Sequence, residues 1–240
     1  MLAMSLLLRR ILIGIPLLAF ALKAFFLVRW GVDMPFWDDW RQYADDELGS
    51  LTLSYLFTPI NDTLFPVGQL LDSLAFRLFG AHAVAYQLLS LVAVMGSILW
   101  LIWQLLQQMA LPPLVRAVAF CFTLPMLQPD SYWGLQNLAY HQALPLIAVL
   151  AVVYLAQRHV VTWSSYVAVG LLGFFAGLSY ISGAFAMVAL SVVLFCYGGG
   201  SRRLAWALAL PALLCTLAQL WVIFFYQQGL HVDEYPMAFP

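Results

Sequence analysis

The sequence predicts an all-α fold, a polytopic bundle of transmembrane helices, and three observations carry that reading. Hydrophobic residues fill 64% of the 240 positions and charged residues 9%, whereas a water-soluble domain carries roughly a quarter charged residues. Mean hydropathy is +0.91, so the outer surface has to face hydrocarbon. The apolar residues also gather into stretches of membrane length separated by short polar links. A single membrane domain is expected over residues 1–240.

The first span is expected at Ile11 to Trp30, long enough to cross a hydrocarbon core of about 30 Å at about 1.5 Å per residue. Ala19-Phe20-Ala21 after Arg9-Arg10 resembles a signal-peptide cleavage site, but the apolar run continues past it to an interfacial tryptophan, which favours a retained helix. Lys23 inside the span can snorkel to the headgroups. Further spans are expected at Val84 to Gln108, Leu114 to Leu127, Leu138 to Gln157, Ser165 to Leu178, Ile181 to Tyr197 and Leu204 to Tyr226, which makes about seven. Arg9, Arg10, Arg116, Arg158, Arg202 and Arg203 flank alternate ends. The positive-inside rule then places the N-terminus in the cytoplasm and the C-terminus outside. One large extracytoplasmic loop results, 31–83.

Leu64 to Phe79, within that loop, is apolar but should not cross. About ten apolar residues at about −0.4 kcal/mol each do not outweigh Asp72 and Arg77 at about +2.5 to +3.5 each. Leu64, Val67, Leu71, Leu74 and Leu78 form one helical stripe, and Gln69, Ser73 and Arg77 another, the pattern of a helix lying in the interface. Pro66 suits its first turn, with Asp62 or Thr63 as its N-cap. Phe36, Trp40 and Tyr43 opposite Asp38, Arg41, Gln42 and Asp45 give a second amphipathic helix in the same loop.

The loop is acidic: Asp33, Asp38, Asp39, Asp45, Asp46, Glu47 and Asp62 face a single nearby Arg41. Asp45, Asp46 and Glu47 read as a solvated face. Asp38 and Asp39 differ, because Pro35-Phe36-Trp37 and Trp40 hold them at headgroup depth, where desolvation raises a carboxylate's basicity and suits it to taking a proton. Asn61 and Asp62 are candidate substrate contacts. Asp130, in the second outer loop, could join Asp38 or Asp39 in an oxygen-rich site for Mg2+ or Mn2+. His141, at the start of the next span, is a further candidate ligand, since ionisable groups at membrane depth are functional suspects. Cys121, Cys196 and Cys215 lie in apolar segments without metal-ligand spacing and read as small hydrophobes. A net charge of −1 without a basic run gives no sign of nucleic-acid binding.

Pro35-Phe36-Trp37-Asp38-Asp39-Trp40, the Asn61-Asp62 pair, Trp133-Gly134-Leu135-Gln136 and Leu178-Ser179-Tyr180-Ile181-Ser182-Gly183, in that order, resemble a group of bacterial membrane proteins related to the GT-C glycosyltransferases. The resemblance covers essentially the whole chain and matches the N-terminal module of that fold. It implies transfer of a sugar from a polyprenyl-phosphate carrier to an acceptor on the outer face. Asp38 or Asp39 would then match the first-loop acid that acts as base or orients the acceptor, and Asp130 the second-loop acid. Arg41, Arg77, Asn61, Asp62, Gln136 and His141 would contact substrate. Thr63 and Leu64 stand where related proteins show a histidine and an arginine. Family enzymes are generally longer, so the resemblance also implies a fragment, half of a split enzyme, or an inactive relative. The alternative is a non-catalytic flippase or transporter for a lipid-linked sugar, or a partner subunit of a glycosylation complex that helps a membrane protein partner bind such a lipid.

Overall fold

The computed structural model describes residues 2–32, 49–59, 63–80, 82–127, 143–158, 161–198 and 201–226. Every regular element among them is helical: α1 (Leu2–Trp30), α2 (Leu53–Leu56), α3 (Pro66–Phe79), α4 (Ala83–Gln108), α5 (Pro113–Cys121), α6 (Leu144–Ala156), α7 (Trp163–Gly177), α8 (Ile181–Tyr197) and α9 (Ser201–Trp221). The last continues as a π-helical turn, Val222–Tyr226, and α4 contains another at Leu91–Met95.

Three helices are long and apolar enough to cross a membrane: Ser5–Trp30, Ala83–Gln108 and Arg202–Tyr226, with mean hydropathies of 2.5, 2.0 and 2.1. The helices α6, α7 and α8 are as apolar but have 13, 15 and 17 residues, or about 20 to 26 Å of rise against a core of about 30 Å. The expected span from Leu138 begins outside the described residues. The expected span Leu114 to Leu127 is not one continuous helix. The α5 hydrogen bonding gives out at Phe122, and a 3-10 turn follows at Leu124–Leu127. Pro125 lies within that turn and has no N–H to carry an α-helix onward. Thr123 closes the break by donating its hydroxyl to the Phe120 carbonyl at 2.7 Å.

The first helix starts nine residues earlier than the expected Ile11. Leucines on both sides of Arg9-Arg10 continue the apolar face, and long arginine stems extend without breaking a helix. It lies at the edge of the bundle: only 6% of its most apolar window is buried, and Leu18, Phe25 and Val28 are exposed. Its inner side, Ile13, Phe20, Ala24 and Leu27, packs on Leu91, Met95 and Leu99 of α4 and Phe120 of α5.

The other half of the bundle is α6 to α9, around Val152, Val169, Met187, Leu204 and Leu208. There α7 and α9 run parallel and very close. Gly170 lies against the Ala207 carbonyl, Gly173 against Leu208 and Pro211, and Gly177 against Cys215, the small-residue packing that lets helix backbones approach where lipid gives no hydrophobic drive. A Cβ on Gly177 would stand 2.7 Å from the Cys215 sulfur and closer still to its Cβ. Gly177→Ala is therefore expected to destabilise the protein by about 1–3 kcal/mol through overpacking, read as a lower melting temperature in detergent. Cys215→Gly in the same chain should recover part of the loss. An unchanged melting temperature for Gly177→Ala would show that α7 and α9 are not in this register.

Candidate functional site

Asp72 is the one acidic side chain among the described residues, and it is buried, at 3% exposure. The helix that carries it is arranged opposite to a soluble amphipathic helix. Leu70, Leu74 and Leu78 of α3 point outward, Leu78 at 72% exposure, while Gln69, Asp72 and Ser73 point into the protein. The expected apolar stripe thus faces out only in part, since Leu64 is buried and Val67 and Leu71 are partly covered. The expected polar stripe does not face water: of its three residues only Arg77 is exposed.

The reason is the segment 49–59, which crosses the polar side of α3. Gln69 donates its side-chain N–H to the Thr58 carbonyl at 3.1 Å. Two turns on, Arg77 donates Nε–H to the Gly49 carbonyl at 2.5 Å. Gly49 sits at φ +89°, a left-handed conformation that favours glycine, with the Phe76 ring under it. From α4, Tyr86 donates its phenolic hydrogen to Asp72 Oδ1 at 2.5 Å. A buried carboxyl needs such a donor, because an unsatisfied polar group away from water is costly. The chain turns after α3 at Gly80, φ +62°, and Tyr86 of α4 reaches Asp72.

The start of α3 is held from the far side of the bundle. Gln219 of α9, fully buried, accepts from the Leu64 N–H at 3.0 Å and donates to the carbonyls of Leu64 at 2.6 Å and Gly177 at 3.1 Å. Its primary amide pairs with Leu64 as another peptide group would. The Val67 N–H donates to the Leu178 carbonyl at 3.1 Å. These tertiary partners replace the expected side-chain cap: the N-cap residue is Phe65 and makes no side-chain cap bond. Thr63 is buried and does not cap, and Pro66 at the first helical position has no N–H that needs a cap.

At one end of the bundle these contacts bring together α3, the start of α4, the α7–α8 turn and the end of α9. Gly31, where the acid-rich loop leaves α1, lies beside Val84 at the start of α4. Both boundaries of that loop are therefore fixed in the structure. Asp38, Asp39, Arg41, Asn61, Asp62, Asp130, Gln136 and His141 themselves lie outside the described residues, as does the expected helix around Phe36 to Asp45. Arg77 is described and spends its Nε–H on Gly49. No three His, Cys, Asp or Glu side chains gather among the described residues.

Sequence reasoning treated Asp72 only as an obstacle to insertion and did not single out Tyr86 or Gln219. The available signal was Gln69, Asp72 and Ser73 at steps of three and four, which puts three polar groups on one side of an otherwise apolar helix. A groove of about 510 Å³ lies among Leu155, Arg158, Thr162, Ser164 and Ser165, near the α6–α7 connection and away from this cluster. Comparison of the chain with protein-family models, with curated proteins and with solved structures finds no match in any of the three.

Proposed function

We propose that this chain is a membrane glycosyltransferase that moves a sugar from a polyprenyl-phosphate carrier to an acceptor on the extracytoplasmic face. The observation that carries the reading is a polar, acid-bearing cluster on α3 and the start of α4, Asp72, Tyr86, Gln69 and Ser73, at the end of the bundle where Gly31 lies against Val84 and the acid-rich loop 31–83 leaves and returns. A carrier lipid brings its phosphate and sugar to that depth, and the apolar flanks of α1 and α3 suit its tail.

In this reading about seven helices cross the bilayer, with α3 in the outer interface. Asp38 or Asp39 takes the proton of the acceptor hydroxyl as its oxygen bonds to the anomeric carbon. The bond from that carbon to the carrier phosphate breaks, and the phosphate leaves with the electron pair. Asn61, Asp62, Gln136 and His141 orient the sugar and acceptor, and Arg41 and Arg77 offset the phosphate charge. Asp130 is the proposed oxygen ligand should Mg2+ or Mn2+ assist the leaving phosphate, and no step above depends on that ion.

Purified protein in lipid nanodiscs should transfer labelled sugar from a polyprenyl-phosphate hexose to an acceptor. Movement of the intact lipid across vesicle membranes without transfer would instead support the flippase alternative. Sidedness has its own test. In a chain lacking Cys121, Cys196 and Cys215, single cysteines at Asp45 and Arg202 should react with impermeant thiol reagents from opposite sides of the membrane; labelling from one side overturns the topology.

A further inference from the structure

We propose that the inward face of α3, with Tyr86, is the subsite for the sugar of the lipid-linked substrate, a neutral group rich in hydroxyls; this rests on the glycosyl-transfer reading above. Two atoms mark it. Gln69 Oε1 and Ser73 Oγ are buried and have no hydrogen-bond partner among the described residues, in side chains 3% and 0% exposed. Native structures leave few buried polar atoms unpaired, and each such atom points to a missing partner or a functional role.

The arrangement selects the class of ligand. Gln69 and Ser73 are one helical turn apart, about 5.4 Å, comparable with the span across a pyranose ring. Between them on the same face is Asp72, tied to Tyr86. Gln69 Oε1 can only accept, Asp72 brings carboxyl oxygens, and Ser73 can both donate and accept. Such a set is matched by sugar hydroxyls, which are donors and acceptors at once. A bare phosphate is not matched, because it offers only acceptors and carries charge of the same sign as a carboxylate. Gln69 keeps its N–H on Thr58 while Oε1 receives a ligand, so the strap 49–59 and the sugar engage different ends of one amide. Arg77, one turn past Ser73 on the exposed flank, lies where a carrier phosphate follows the sugar.

The test uses the full chain in nanodiscs, with citronellyl phosphate bearing glucose, mannose or galactose as one set of probes and bare citronellyl phosphate as the other. The wild type should bind at least one hexose-bearing lipid about tenfold tighter than the bare phosphate. Ser73→Ala should erase that preference, leave binding of the bare phosphate unchanged, and melt without ligand at the same temperature or higher, since it removes a hydroxyl that has no partner among the described residues. Ser73→Thr, which keeps the hydroxyl, should retain the preference. A lower ligand-free melting temperature for Ser73→Ala with the preference intact would make the hydroxyl structural and overturn the proposal, as would no wild-type preference for any of the three hexoses. If discrimination follows Ser73 but no sugar is transferred, the subsite stands and the transferase reading fails. If sugar is transferred and Ser73→Ala discriminates like the wild type, the subsite fails and the transferase reading stands.

Discussion

A chain carrying Asp38→Asn and Asp39→Asn is expected to insert, fold and bind its lipid substrate, and to transfer sugar about 10²- to 10⁴-fold more slowly, the usual contribution of a positioned general base. Asparagine is close in shape and keeps hydrogen-bonding capacity, but it cannot take the acceptor's proton. The expectation rests on where the sequence puts these acids. Pro35-Phe36-Trp37 precedes them and Trp40 follows, and tryptophan prefers the membrane interface, where a carboxylate is less well solvated and more basic than in water. Transfer by the purified double variant should be followed beside its melting temperature, so that loss of chemistry is separated from loss of fold. Wild-type rates from the double variant would refute the catalytic assignment of both residues.

Gln219→Leu is expected to be the most damaging single substitution among the described residues that leaves the backbone unaltered. It removes one acceptor and two donated hydrogen bonds at once. The Leu64 N–H and the carbonyls of Leu64 and Gly177 then lose these partners in a buried site, and each buried orphan group costs about 1–3 kcal/mol. Partial relaxation should hold the total to about 2–5 kcal/mol, within the range for breaking a buried polar network. Gln219→Glu tests the same point without a change in size: it replaces the donating NH₂ with an acceptor facing two carbonyl oxygens, and should be no better than leucine. Thermal unfolding in detergent reads both variants. The consequence for the proposed site is as direct, because Gln219 fixes Leu64, just before α3 within the acid-rich loop, to the end of α7. A Gln219→Leu chain that melts like the wild type would show that this clamp does not hold the bundle.

The sequence revealed the helices better than their partners. Ile181–Tyr197 begins and ends where the apolar run does, because a tight turn precedes it and Gly198, at φ +81°, follows it. Pro66 opens its helix as expected, since proline at that position answers to local geometry alone. Gln219 was invisible within the apolar run Leu204 to Tyr226. Its partner Leu64 is 155 residues away, and no local pattern encodes that pairing. The inward turn of Gln69 and Ser73 was missed for a related reason. Periodicity separates a polar face from an apolar one, but which face meets the protein depends on what crosses it, here the strap 49–59. In a membrane protein the usual inference is reversed, because the lipid side has to be the apolar one. Asp72 was legible as a residue out of place, and a lone acid in an apolar helix is already grounds for suspicion.

The measurement that bears most directly on the account is the location of the bound lipid-linked sugar. A polyprenyl-phosphate hexose with a photoactivatable group on the sugar, bound to the full chain in nanodiscs and irradiated, should mark peptides from 31–83, the start of α4 and the α7–α8 turn. Label spread along the lipid-facing side of α1, or gathered at the groove beside Arg158 and Thr162, would contradict it.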